Sequence, residues 1–367
     1  MPCQNRLRGL RRCNRTPVDH PKFGFWPVPR ENASGPEEAL QQFVKAERLG
    51  FDSLWHGDHF ASFSGKFGET IALLAAMGLK TRTAMIGSSV IDAIKRHPAT
   101  IAQAFASIDR ISKGRVALGL GAGEAVNLLP FGIPIHRPIA RLKEAIEIIK
   151  TLWVSSSPVS FKGQLFTLQN AFIHIKPIQK PHPPIYVGAL GRKTRQIAGE
   201  LGNGFFPWIS SPKSFEIKVS EVNDAAKNAG RDPKEIDKIA YTYLCVTKDR
   251  AEAKKILDPV LRFALVLERE TLAHHGVSID IPHSSTIQGS LFLPEDFERI
   301  SSLGKQIPQS LVDEVPAAGN EDECISKIES YLKSGATHIV IQDYSADEQR
   351  SLETLATKII PYFRDQG

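Results

Sequence analysis

The residues of this chain best suited to chemistry gather at the ends of apolar segments. Foremost is the run Gly119-Leu120-Gly121-Ala122-Gly123-Glu124-Ala125-Val126-Asn127, directly after the apolar stretch Arg115–Leu118. Glycines there let a backbone turn sharply and approach a ligand, because no Cβ stands in the way. Glu124 beside them can move a proton or orient a ligand; it can equally cap a helix starting near Ala125, since acidic groups favour helix N-termini. The run is no dinucleotide fingerprint, because the third glycine of G-x-G-x-x-G falls on Glu124 or Val126. It is no P-loop either, as no Gly-Lys-Ser/Thr follows.

A second group is His56-Gly57-Asp58-His59-Phe60. His59 can act as acid, base or hydrogen-bond donor near neutral pH, or serve as an ordinary structural group. A metal on His56, Asp58 and His59 would need ligands from elsewhere, with only Asp343 and an insertion histidine to supply them, so none is expected. A third group, Gly188-Ala189-Leu190-Gly191-Arg192-Lys193-Thr194, combines a glycine turn, two cations and a hydroxyl ahead of a helix. Backbone N–H groups and the dipole at such a turn bind phosphate; the alternative is a plain strand-to-helix turn with solvated side chains. Ser88, Ser89 and Asp92 close another segment, and Gln342 with Asp343 the last one. Phe63 and Trp208 are suited to line a pocket for a flat ring, or simply to pack in a core.

These groups need a frame, and the apolar pattern supplies one. Strand-like segments at Lys22–Trp26, Asp52–His56, Thr83–Val90, Arg115–Gly119, Pro184–Ala189, Gly204–Trp208, Lys238–Val246 and His338–Asp343 alternate with helical periodicity. Continuous apolar strands trailed by helices imply a parallel sheet covered outside. About eight such units predict an α/β fold of the (β/α)8 TIM-barrel type, whose carboxyl strand ends carry the active site. Insertions are expected after strand four (155–180, with hairpin-like alternation) and after strand seven (267–310, with little periodicity). Residues 1–20 read as a disordered basic tail with Arg6, Arg8, Arg11, Arg12 and Arg15, and 21–367 as a single barrel domain.

Composition narrows the classes. Hydrophobic content of 42% and charged content of 23% suit a globular enzyme. No apolar run approaches the roughly 20 residues of a membrane span. Four cysteines without metal spacing imply a reduced, cytoplasmic protein. The net charge of +6 is not gathered into basic runs with aromatics between them, so nucleic acid is not an expected partner.

Taken in order, Asp58-His59-Phe60, Arg96–Gln103, Gly114–Asn127, Pro138–Ala145, Pro184–Ala189 and Ala198–Gly204 resemble the luciferase-like monooxygenase superfamily, in the branch that uses the deazaflavin coenzyme F420. The resemblance covers about residues 22–364. It implies a barrel, commonly a homodimer, with coenzyme phosphate at the loops after strands four and five. It implies catalytic roles for His59 and Glu124. Coenzyme contacts would come from Asp58, Ser88, Ser89, Gly121, Gly123, Asn127, Gly188, Gly191, Arg192, Lys193 and Thr194. A non-proline cis bulge is implied at Ser88-Ser89, and Phe63 with Trp208 as pocket residues. Sugar- and alcohol-oxidising members carry a tryptophan where this chain has Phe63, a departure from their substrates. The stretch Ala273-His274-His275-Gly276-Val277 and Pro282 is similar to the ketoreductases acting on phthiodiolone-type lipids, and methylenetetrahydromethanopterin reductase is a more distant relative. The implied activity is hydride transfer between F420 and a small carbonyl, alcohol, C=N or C=C substrate. The alternatives are an FMN-dependent monooxygenase and a non-catalytic flavin-binding barrel on the same fold.

Overall fold

Eight apolar segments, each too short to bury itself, pair side by side into a closed ring. The computed structural model describes residues 20–28, 35–60, 68–280 and 294–365. In it β1 (Lys22–Trp26), β2 (Ser53–His56), β3 (Met85–Ser88), β4 (Val116–Gly121), β5 (Ile185–Gly188), β6 (Gly204–Phe206), β7 (Asp237–Val246) and β8 (His338–Asp343) run parallel in chain order. Pairing of β8 with β1 (Lys22↔His338) and of β6 with β7 (Gly204↔Asp237) closes the barrel. Residues 1–19 of the basic tail lie outside the described residues, as does Phe63.

The barrel is filled, not hollow. Trp55 is fully buried, with its ring 5.0 Å from Tyr186 and 5.1 Å from Phe206, both edge-on. Its volume is accommodated by Gly87, where an added Cβ would stand 2.3 Å from the indole. Gly204 makes the same room for Tyr186, at 2.0 Å. Outside, helices such as Pro98–Ile111 and Pro138–Val154 lay apolar stripes on the strands; Ile101, Phe105, Ile108, Ile149 and Leu152 are all buried.

The first insertion is the expected hairpin, Val159–Lys162 with Thr167–Ala171. Glu144 holds it to the helix behind, accepting from the amides of Gln164, Leu165 and Phe166 at 2.7, 3.1 and 3.1 Å. After β7 the helix Arg250–Leu267 follows as expected, but the insertion beyond it is not irregular: helices Arg269–His274, Pro294–Gly304 and Gln309–Glu314 lie in and after it, and a three-residue strand, Ala317–Gly319, pairs beside β7. Two small residues and a glycine carry no strand signature, and segments this short show little periodicity. Among the described residues no helix is long and apolar enough to cross a membrane.

Candidate active site

The carboxyl ends of the strands open on one cavity of about 810 Å³, within the usual range for small-molecule sites. Asp58 and His59 reach it from β2, Ser89 from the end of β3, and Gly121, Gly123, Glu124 and Asn127 from β4. Gly188, Gly191, Arg192, Lys193 and Thr194 line it after β5, and Trp208 after β6. Ser88 does not. It is buried behind the wall, where its hydroxyl donates to the Gly119 carbonyl (2.9 Å) and accepts from the Gly119 amide (3.0 Å).

The chemical centre is organised by Asn127. Its Oδ1 accepts from the Phe60 amide at 2.9 Å, which turns Nδ2 toward the other two groups. Nδ2 meets His59 Nδ1 at 2.9 Å and Glu124 Oε2 at 3.1 Å, and His59 Nδ1 lies 3.7 Å from that same carboxylate oxygen. An amide nitrogen only donates, so His59 Nδ1 accepts, and the neutral imidazole carries its proton on Nε2. That tautomer can donate a hydrogen bond from Nε2 to a substrate oxygen. Glu124 is the N-cap residue of the turn Ala125–Asn127 but makes no side-chain cap hydrogen bond; its carboxylate is spent on Asn127 instead.

Asp58 is spoken for. Lys95 Nζ lies 2.6 Å from Oδ2, while Arg96 donates to Oδ2 at 2.8 Å and to Oδ1 at 3.1 Å. Burial alone would raise this carboxyl, but Arg96 and Lys95 hold it below the ordinary carboxylate range. Asp58 therefore anchors the loop that carries His59 and is no proton donor. His56 faces away and bonds Thr70 Oγ1 at 3.3 Å; burial, then the neighbouring His59, push it down to about 4. Among the described residues no group of three His, Cys, Asp or Glu side chains is placed to hold a metal ion.

The glycine run owes its composition to something other than ligand approach. A Cβ on Gly119 would stand 1.8 Å from the Ser88 carbonyl oxygen, and one on Gly121 or Gly188 would meet Val90 at 2.6 or 2.8 Å. These glycines accommodate the kink where β3 breaks off before Ile91–Asp92 pairs again with β4. The cis peptide of that kink is Ser89–Val90, one bond later than the resemblance implies. Gly123 sits at φ +86°, which favours glycine. Only Gly191 of the set has open space around its missing Cβ.

Gly191 also begins the helix Arg192–Leu201, which has no side-chain cap. Its first amides therefore lack intrahelical acceptors and can hold an anion. Arg195, buried, donates to the Leu190 carbonyl and to Glu221 Oε2, and lies 2.7 Å from Glu270 Oε2 of the second insertion. Because C=O and N–H of a trans peptide point oppositely, fixing the Leu190 carbonyl on Arg195 aims the Gly191 N–H away from it.

Several residues of the site had no place in the sequence reading. Lys95 bridges Asp58 and Asp92 (3.4 Å). Tyr241 and Tyr243 from β7, Trp26 from β1 and Tyr344 after β8 complete the wall. The two-residue spacing of Tyr241 and Tyr243, one face of a strand, was the available signal.

The family model described as luciferase-like monooxygenase matches residues 22–338. The 5,10-methylenetetrahydromethanopterin reductase of Archaeoglobus fulgidus is 32% identical, over 88% of this chain and 95% of that protein. The F420-dependent glucose-6-phosphate dehydrogenase of Amycolatopsis mediterranei is 30% identical, over 91% and 96%. The solved F420-dependent secondary alcohol dehydrogenase, in complex with an F420-acetone adduct, superposes with a TM-score of 0.79 at 25% identity, covering 94% of this chain and all of that one. Closed barrel, kinked third strand and a match that spans both put the chain in the luciferase-like monooxygenase family, to which it belongs.

Proposed function

We propose that the protein is a coenzyme F420-dependent oxidoreductase that moves a hydride between the deazaflavin and a small organic substrate. The observation that carries this reading is the Asn127–His59–Glu124 group at the cavity wall, with the imidazole proton directed to Nε2. The F420 chemistry of the relatives supports it. When bound, the coenzyme supplies the hydride-exchanging carbon, and the protein supplies position and proton.

The donor set fits such a group. The first amides after Gly191, with the Arg192 and Lys193 side chains, are placed to hold a phosphate and an acidic tail. Ser89, Val90 and the backbone of Gly121 and Gly123 form an uncharged wall for the ring. His59 hydrogen-bonds the substrate oxygen from Nε2 and steadies the charge that develops there. Glu124, 3.7 Å from the other imidazole nitrogen, accepts or returns the proton that accompanies the hydride. A homodimer in the cytoplasm belongs to the same proposal; sedimentation of the purified protein tests its assembly.

Fluorescence titration with F420 and, separately, with FMN tests the cofactor. Saturable binding of F420, and loss of turnover with reduced F420 in His59→Ala and Glu124→Gln, are the expected results. Binding of FMN alone with oxygen consumption by its reduced form would replace the reading by a monooxygenase. Undiminished turnover in both variants would remove the catalytic assignments.

A further inference from the structure

Among the described residues, the cavity wall across the barrel from the turn after β5 is aromatic and bears no charge. It is formed at the floor by Trp26, Tyr241, Tyr243 and Gln342. Trp26 lies edge-on to Tyr241 at 6.3 Å, and Tyr243 packs on Tyr344 at 4.9 Å. Above it runs the helix Arg250–Leu267, which turns Pro259, Val260, Phe263, Ala264 and Leu267 to the cavity as one stripe. Phe297 of the helix Pro294–Gly304 stacks on Phe263 at 5.5 Å.

The charges that line the cavity are elsewhere. Lys95 is held between Asp58 and Asp92, and Arg192 and Lys193 belong to the turn after β5. Among the described residues, β1, β6, β7, β8 and the covering helix contribute no Lys, Arg or His to the lining. What this wall offers an oxygen is neutral. Tyr241 donates to Gln342 Oε1, which leaves the Gln342 amide hydrogens as donors. Burial keeps the phenols of Tyr241, Tyr243 and Tyr344 protonated.

We infer that this half of the cavity takes an uncharged ketone or secondary alcohol with aryl or branched hydrocarbon substituents, and rejects phosphorylated and carboxylated substrates. The inference rests on the hydride-transfer function proposed above. An anion here would lose its hydration without gaining a counterion, whereas aromatic and aliphatic groups fill the space between floor and stripe. In the reduction, the carbonyl carbon would gain a hydride from the reduced coenzyme and its π pair would move to oxygen, which takes the proton that leaves the coenzyme with the hydride and is returned by Glu124. Ketone becomes alcohol as the coenzyme is oxidised, and the reverse oxidises the alcohol.

The test uses the full chain, acetophenone, 4-methyl-2-pentanone and glucose 6-phosphate. Each is titrated against the fluorescence of the wall tryptophans Trp26 and Trp208, with and without F420, and each is offered for turnover with reduced F420 (the phosphate, an alcohol, with oxidised F420). The expected result is saturable binding of the ketones and a kcat/KM at least about tenfold above that for the phosphate, the scale at which apolar pockets discriminate. Phe263→Asp should abolish that preference while leaving F420 affinity within about twofold, because it charges the stripe and not the phosphate turn. Equal or better use of the phosphate overturns the inference and leaves the F420 reading intact. Ketone binding without turnover in a protein that binds F420 also overturns it. Failure to bind F420 at all removes the underlying reading instead.

Discussion

Two buried groups at the strand ends make opposite demands on pH, and one substitution separates them. His56, at the end of β2, is almost fully buried and pushed down to about 4 from an ordinary 6.5. Asp343, at the end of β8, is equally buried and pushed up to about 6 from 3.8; the hydroxyls and amide of Ser345 and Ser351 only partly offset its burial. For His56 the folded state binds protons less readily than the unfolded chain, so its contribution is complete above pH 6.5 and is lost as pH falls toward 4. For Asp343 the folded state binds protons more readily. Its contribution is complete below pH 3.8 and is lost as pH rises through 6. At about 1.4 kcal/mol per pH unit, each is worth about 3 kcal/mol over its window. Between pH 6.5 and 4 the two nearly cancel.

Asp343→Asn removes one side of that balance. The amide keeps an acceptor for the Ser345 N–H (2.9 Å in the parent) and cannot titrate. At pH 7 the variant sheds a buried charge but gains an amide donor with no assured partner, a cost of about 1–3 kcal/mol, so it should be no less stable than the parent. On acidification to pH 4 it should lose about 3 kcal/mol relative to the parent, because the loss at His56 is no longer offset. Urea unfolding followed by tryptophan fluorescence at pH 4, 5, 6 and 7 measures this, with all other titrating groups common to both proteins. Parallel stability curves within about 0.5 kcal/mol would refute the buried, charged Asp343 on which the reasoning depends.

Other substitutions read other parts of the site. Gly119→Ala puts a methyl 1.8 Å from the Ser88 carbonyl, a backbone atom that cannot yield cheaply, and should cost about 3 kcal/mol or more in thermal or urea unfolding. Gly191→Ala, with nothing within 4 Å of the new methyl, should leave unfolding unchanged but weaken F420 binding in a fluorescence titration. Asn127→Ala deprives His59 Nδ1 of its donor and should lower kcat about fivefold, the worth of one hydrogen bond of about 1 kcal/mol, with F420 affinity kept within about twofold. Glu144→Ala strands the amides of Gln164, Leu165 and Phe166; limited proteolysis should then cut first in the Val159–Ala171 hairpin.

The barrel was legible because its strands are continuous apolar runs separated by helical periodicity, and the chemistry-bearing clusters sat where those runs ended. Most of the expected cavity residues do meet, and the turn at Gly191 keeps open space around its missing Cβ. What composition could not convey was the reason for the other glycines. Gly119, Gly121 and Gly188 answer to Ser88 and Val90, which are 29 or more residues away in the chain and touch them only once the sheet has formed. Asn127 is a similar case. Its spacing from Glu124 is visible, but its grip on His59 depends on a loop 68 residues earlier. Of the helices after β7, Arg250–Leu267 followed its strand as expected, and the shorter Arg269–His274, Pro294–Gly304 and Gln309–Glu314 were missed because segments of so few turns show little periodicity.

Residue chemistry alone does not make a catalytic centre, and this barrel contains the comparison. At the opposite end, Ser53 Oγ lies 2.7 Å from His338 Nε2, and His338 Nδ1 lies 3.1 Å from Asp237 Oδ2. Those are the contacts of a Ser-His-Asp nucleophilic triad. Yet Trp55 Nε1 donates to the serine oxygen at 2.7 Å, and Gly24 leaves only 2.4 Å between a would-be Cβ and that oxygen. Ser53 and His338 expose no surface. Asp237 further gathers Lys22 at 3.0 Å, Tyr186 at 2.8 Å and Thr337, and His338 with Lys22 holds its carboxyl far below the ordinary range against a large burial cost. Every hydrogen in the chain Trp55–Ser53–His338–Asp237 has an acceptor inside the protein, so none is left to transfer to a ligand. At the carboxyl end the arrangement is looser, with side chains of His59 and Glu124 exposed by 27% and 40% onto a cavity. The amino end of the barrel spends its polar groups on closing the ring, and the carboxyl end keeps His59 and Glu124 where a ligand can reach them.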